Sequence, residues 1–383
     1  MMSKPSCYLD HASTAFPRAP GVAEAVCWAL DHFATPNRGV YTQSDEAAQT
    51  VQSCRQAAAR RFGVDDARRV IFTAGCTDAI NQVIHGMLGP GDTILACTSD
   101  HNAVLRPLHQ RGAEGLNVRL LPANKLGIME PALLRSALIT TECDLLILTH
   151  ASNVTGAVVA LGECLSLAAA AGVPVLLDAA QSAGLLPLDL DRLGVAATAI
   201  PGHKALAGPP GIGLLCLGLD VNLRPLRQGG TGANSEYPEM PSSGPDRYEA
   251  GTPNVPGISG LLAALEGEPP DPSWMMHLRA EACRFLATLE GVTVFGPMTG
   301  QPAVPIVSFT VANLPAEVVA LWFAEQNIAV RGGLHCAPGA HRALGVFEEG
   351  GTVRVSFGPN NSEEDLSNFF QTLTLIVQQC TSV

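Results

Sequence analysis

Val175-Leu176-Leu177-Asp178-Ala179-Ala180-Gln181 and, a little further on, Thr198-Ala199-Ile200-Pro201-Gly202-His203-Lys204 share one pattern. In each, a short apolar run stops at residues that carry chemistry: a carboxylate and an amide in the first, an imidazole and an amine in the second. A strand covered on both faces reads as an unbroken apolar run, because neither face meets water. The two stretches predict strands at Val175–Leu177 and Thr198–Ile200. Working outward, similar runs predict strands at Val70–Thr73, Thr93–Cys97, Val118–Leu121, Leu145–Thr149 and Ile212–Leu217. Between them lie Ala- and Leu-rich stretches that predict helices at Ala47–Phe62, Thr77–Met87, Glu130–Leu138 and Glu163–Ala171. Strand–helix alternation of this kind predicts an α/β fold with a mainly parallel sheet flanked by helices.

From about Gln228 to Pro256 the chain turns rich in Gly, Pro, Ser and Asn and reads as a long functional loop. A helical stretch and strands near Ile306–Val311 and Thr352–Phe357 follow, predicting a smaller α+β domain. At 383 residues, two domains are expected. The division predicted is a large domain over 14–255 and a small domain built from 1–13 and 256–383.

The formal charge of −12 repels nucleic acid phosphates and anionic membranes, so neither is an expected partner. Eleven scattered cysteines form no CxxC pair and no zinc-spaced cluster, which points to reduced thiols and no metal site. The first ten residues lack the basic start and apolar run of a signal peptide, and no stretch holds the roughly 20 apolar residues that span a bilayer. A cytoplasmic protein is expected.

In open α/β sheets, ligand groups gather at the carboxyl ends of the strands. Here those ends carry Gly75-Cys76-Thr77, Asp100-His101-Asn102, Ser152-Asn153, Asp178 with Gln181, and His203-Lys204. Taken singly, Gly75 can merely end a strand and Asp178 can merely cap a helix. Together they supply a turn suited to phosphate, an aromatic ring, amides, a carboxylate and an amine. Pyridoxal phosphate (PLP) needs a lysine for its Schiff base, an acidic partner for its ring nitrogen and a helix N-terminus for its phosphate. The chain has only three lysines: Lys4 in a tail, Lys125 in a loop, and Lys204 at the end of a buried-looking strand.

These pieces, in this order, resemble the cysteine desulfurases and selenocysteine lyases of the class V aminotransferase group, PLP fold-type I. The resemblance runs from Tyr8-Leu9-Asp10-His11-Ala12-Ser13-Thr14 through Thr77-Asp78-Ala79-Ile80-Asn81, Ser152-Asn153-Val154-Thr155-Gly156, Gly202-His203-Lys204 and Glu249-Ala250-Gly251-Thr252-Pro253-Asn254. It closes with Arg331-Gly332-Gly333-Leu334-His335-Cys336-Ala337-Pro338 and Arg354-Val355-Ser356-Phe357-Gly358. It implies that Lys204 holds the cofactor and moves a proton, that Asp178 pairs with the ring nitrogen, and that Gln181 bonds the phenolic oxygen. It also implies that His101 stacks on the ring and that Asn153 lies near ring and substrate. Gly75, Cys76, Thr77 and His203 would surround the phosphate, with Thr252 reaching the phosphate of a partner subunit in a homodimer. Arg354 would clamp the substrate carboxylate, with Arg331 beside the Cys336 loop. Cys336, in a Gly-rich stretch that reads as a mobile loop near positive charge, would take sulfur from L-cysteine and pass it to an acceptor protein or small thiol, leaving L-alanine. The short distance to the Arg354 strand suggests the compact loop of the second desulfurase subgroup.

One departure stands out. The family usually carries Ser or Thr before Gly-His-Lys; here Pro201 offers neither hydroxyl nor N–H. Selenocysteine lyase, cysteine or cystine C–S lyase, aminotransferase and epimerase are rival enzymes on this scaffold, and a non-catalytic scaffold protein is the rival of another class.

Overall fold

The computed structural model describes residues 7–36, 39–232 and 236–381, the last two without their side chains. The chain opens with β1 (Cys7–Tyr8), α1 (Val22–His32) and α2 (Thr42–Phe62). The main sheet follows as β2 (Val70–Thr73), β3 (Thr93–Cys97), β4 (Asn117–Leu121), β5 (Leu145–Thr149), β6 (Val175–Asp178), β7 (Ala197–Pro201) and β8 (Gly213–Leu217). Its helices are α3 (Cys76–Met87), α4 (Asn102–Ala113), α5 (Pro131–Thr140), α6 (Leu161–Ala170) and α7 (Leu190–Leu193). After the long loop come α8 (Val255–Glu266), α9 (Pro272–Leu286), β9 (Val292–Phe295), β10 (Ile306–Val311) and α10 (Ala316–Glu325). The chain ends through β11 (Ile328–Ala329), β12 (Arg331–Gly333), α11 (Pro338–Leu344), β13 (Thr352–Ser356) and α12 (Glu363–Thr381).

The seven-stranded sheet has the order β2-β8-β7-β6-β5-β3-β4. From β7 to β4 every pair is parallel, while β8 runs antiparallel to both its neighbours. The reversal puts the first residue of β8, Gly213, opposite the last residues of β2 and β7, Thr73 and Pro201. Alternate residues explain why the strands are apolar throughout. Leu146 and Leu148 of β5 face one core with α2, α6 and α8, whereas Leu145 and Ile147 face the other with α3 and α4. Edge strand β4 is largely exposed, because only one side of it has a neighbour.

A second core lies around β10, β13, α9, α10 and α12, on the four-stranded sheet β12-β13-β10-β9. Cys7 and Leu9 join this core, and β1 pairs with β11, so the N-terminal arm packs here. One expectation shifts. Val255, Ile258, Leu261 and Leu265 of α8 are buried in the large-sheet core, against α1 and α2. We therefore place the division between the units after Glu266 rather than at 255. Apolar content alone did not say which core that helix would join.

Candidate active site

A cavity of about 660 Å³ opens at the carboxyl ends of the main strands. That volume falls within the range of small-molecule sites. Gly75, Cys76 and Thr77 line it from the start of α3, His101 from the start of α4, Asn153 from beyond β5, and Asp178 and Gln181 from β6 and its turn. His203 and Lys204 line it from beyond β7, and Arg331, His335 and Arg354 from the smaller domain. Lys125 is exposed in the turn before Gly127, and Lys4 lies outside the described residues.

Asp178 is buried, and two groups donate to its Oδ1: the Ala180 N–H at 2.9 Å and the Cys76 thiol at 3.6 Å. Oδ2 takes neither of these bonds. Across the cavity, burial pushes the Lys204 amine below its usual range; Arg354 and Arg331 push the same way, while Cys76 and Asp178 oppose them. A lysine so placed spends more of its time as the neutral, nucleophilic amine. His101 caps α4, its Nδ1 accepting from the Ala103 N–H at 3.0 Å. That bond fixes the neutral tautomer with the proton on Nε2. Burial, opposed by Asp178, takes its pKa down to about 4, so at neutral pH it is an uncharged ring. Beneath it, Asp100 is pushed up to about 7 by burial, although Thr149 and the Cys97 N–H both donate to it.

The two arginines lie directly opposite each other across β12 and β13. Like charges so placed repel, and the N-terminal arm supplies the groups that bridge them. Arg354 donates to Asp10 and Ser13, both at 2.8 Å, and to the Asn153 carbonyl at 3.0 Å. Arg331 donates through Nη1 to Ser13 Oγ at 3.1 Å, and its Nη2 lies 3.7 Å from Cys336 Sγ. The arm is held there by Ser356 of β13, whose hydroxyl accepts from the Ala12 N–H at 2.8 Å.

Cys336 is exposed, next to the lining residue His335, in a tight turn between β12 and α11. Both residues have left-handed backbones, φ +49° and +57°. The turn is tied into the large domain: Asn153 Nδ2 donates to the His335 carbonyl and the Asn102 N–H to that of Cys336, each at 2.8 Å. The glycines that suggested mobility belong to a strand, where a Cβ on Gly332 would meet the Ala316 carbonyl oxygen at 2.4 Å. Below the turn, His341 Nδ1 lies 3.0 Å from the Ala337 carbonyl, and Thr352 Oγ1 lies 3.1 Å from Nε2 of both His335 and His341.

Two of the expected residues have surroundings that the resemblance did not specify. Thr252 is exposed and does not line the cavity. Its segment is anchored at Glu249, which takes two bonds from buried Arg55 and one from the Phe72 N–H. Cys76 lines the cavity, but its thiol turns to Asp178 rather than lying with the backbone of the turn. Asp10 and Ser13 were quoted in a motif without a role; their contacts with Arg354 span more than 300 residues of sequence, and no local pattern carries that signal.

Known proteins of similar fold and sequence bear on this cavity. A probable cysteine desulfurase of Methanothermobacter thermautotrophicus is 30% identical over 377 residues, covering 96% of this chain and 93% of that protein. The apo structure of a cysteine desulfurase from Thermococcus onnurineus superposes with a TM-score of 0.88 at 26% identity, covering 97% of this chain and 95% of that one. The crystal structure of a cysteine desulfurase from Escherichia coli gives 0.84 at 30% identity, covering 97% and 94%. The aminotransferase class-V model matches residues 7–369, nearly the whole chain, and the chain belongs to that family.

Proposed function

We propose that this protein is a PLP-dependent cysteine desulfurase that converts L-cysteine to L-alanine and carries the sulfur as a persulfide on Cys336. The observation that carries the reading is the meeting, in one cavity, of an amine whose proton affinity burial lowers, a buried carboxylate and an uncharged imidazole, with an exposed thiol beside a cavity arginine. The names of the relatives support the same activity.

The residues fit the cofactor. Lys204 offers the amine, and Asp178 leaves Oδ2 free of its two internal bonds. The first N–H groups of α3 lack intrahelical acceptors, as at any helix start, and face the cavity from Cys76 and Thr77. Bound PLP supplies an electron sink that makes the bonds at the substrate Cα and Cβ breakable.

The chain's own groups do the rest. Arg354, which is buried, and Arg331 receive the substrate carboxylate; a guanidinium fork suits that group. Lys204, once free, takes the Cα proton. His101, with its proton on Nε2, lines the cavity where it would cover the bound ring and could hold or give a proton. The Cys336 thiolate attacks the substrate sulfur. The new S–S bond forms as the substrate C–S bond breaks, and the electron pair left on Cβ takes a proton to become the methyl group of alanine. A thiol acceptor then removes the outer sulfur. His203 and Gln181 complete the cofactor wall, and Thr252, exposed here, is left to serve a partner subunit's site in a homodimer.

The test is to incubate the PLP-loaded protein with L-cysteine and measure alanine and sulfide together. Alanine equal to transferable sulfur supports the desulfurase. Pyruvate in place of alanine overturns it.

A further inference from the structure

Ser13 sits where the two facing arginines of the cavity converge. Its hydroxyl has one proton to give and two lone pairs. The proton goes to Asp10 Oδ1 at 2.8 Å, and the lone pairs receive Arg354 Nη2 at 2.8 Å and Arg331 Nη1 at 3.1 Å. Its bonding capacity is therefore full. The guanidinium is planar and rigid, so fixing Nη1 also sets the direction of Nη2, which ends 3.7 Å from Cys336 Sγ. Across β12 and β13 the only force between the arginines themselves is repulsion. Arg354 cannot yield, being buried and also held by Asp10 and the Asn153 carbonyl.

We infer that Ser13 is a positioning residue that holds Arg331 against Arg354 and thereby keeps the Arg331 cation on the Cys336 sulfur. Without the hydroxyl, Arg331 loses its tie and is pushed away from Arg354. The thiolate at Cys336 then loses the cation beside it. The charged groups around the thiol are Arg331 and Arg354, with Asp10 behind Ser13; His335 and His341 are held toward the neutral form by burial. The inference rests on the reading of Cys336 as the nucleophile only for its catalytic meaning. The geometric coupling stands apart from the reaction.

The experiment labels the purified protein with iodoacetamide in the absence of cysteine and follows the Cys336 peptide by mass. Cys27, also exposed, serves as internal reference. Losing one hydrogen bond of ordinary strength predicts that Ser13→Ala slows labelling of Cys336 relative to Cys27 by about three- to tenfold. Arg331→Gln should slow it at least as much, and Ser13→Ala added to Arg331→Gln should slow it no further, because the effect passes through Arg331. Ser13→Thr, which keeps the hydroxyl, should label like wild type, while Ser13→Val, of the same shape, should label like Ser13→Ala. The Thr and Val pair carries the comparison if the alanine variant does not fold. Labelling of the valine or alanine variant at the wild-type rate, or a further loss in the double variant, overturns the inference. No turnover is measured, so a failure of the desulfurase reading would leave this result unchanged.

Discussion

Replacing Cys336 by alanine separates a chemical role from a structural one. The side chain is exposed, and Arg331 Nη2 approaches its sulfur to 3.7 Å. The turn is held by backbone instead: the carbonyls of His335 and Cys336 accept from Asn153 and Asn102. Alanine keeps the β-carbon, so the left-handed backbone at φ +57° costs the same in both proteins. Unfolding in urea should therefore shift by no more than about 0.5 kcal/mol. Glycine relieves the left-handed cost, roughly 1–2 kcal/mol, but gives back part of it as chain entropy. Cys336→Gly should come out level or up to about 1 kcal/mol more stable. Both variants should bind PLP and show the spectral change on adding cysteine, since neither event uses the thiol. Both should lose alanine formation from cysteine by ~10³-fold or more, because neither a methyl group nor a hydrogen can form a persulfide. In the wild type, one turnover without reductant should leave one sulfur atom on the Cys336 peptide, removable by a thiol. Alanine formation at the wild-type rate in Cys336→Ala would refute the persulfide route and favour a direct C–S lyase. Loss of cofactor binding or of several kcal/mol would show that Cys336 is structural.

Pro201 lines the cavity at the end of β7; Pro201→Ser adds a hydroxyl beside the phosphate turn and should tighten PLP by about tenfold, read by titration of the apoprotein. Glu249→Gln leaves Arg55, 5% exposed, facing an amide in place of a carboxylate. It should cost about 3 kcal/mol in urea unfolding and speed amide exchange around Thr252; unchanged exchange would show that another contact anchors the segment. His11, His101 and His150 have pKa values taken down to about 4 by burial. They bind protons more weakly folded than unfolded, so stability is full above about pH 6.5 and is lost as pH falls toward 4. At pH 5 each costs up to about 2 kcal/mol, while Asp100, raised to about 7, offsets part by gaining its proton in the folded state. The urea midpoint should fall between pH 7 and 5; a flat profile would contradict the burial of these rings.

The inner parallel strands of the main sheet were legible because burial on both faces leaves mostly apolar residues, and because several of these runs end at polar groups. Runs such as Leu145–Thr149 needed no partner to be read. Direction was not legible: Gly213–Leu217 looks like its neighbours in composition, yet runs against them. Nor was the allegiance of α8, whose apolar face could have served either core. At the site, residues in local clusters were readable, whereas the Asp10–Ser13 contact with Arg354 depends on how the arm folds back onto β13. The side-chain direction of Cys76 is likewise a matter of packing rather than spacing.

The reversed strand β8 has a metric consequence. Neighbouring strands lie about 4.8 Å apart, so inserting one strand between β2 and β7 sets the Gly75 turn and the Lys204 turn ~10 Å from each other. Because β8 runs backward, it meets that gap with its first residue, a glycine, and a Cβ at Gly213 would collide with the Gly75 Cα at 2.7 Å. The sheet thus acts as a gauge block: strand spacing fixes the span between the two anchoring ends, and a missing side chain keeps the seam closed beneath them. Gly213 shapes the site although it does not line the cavity.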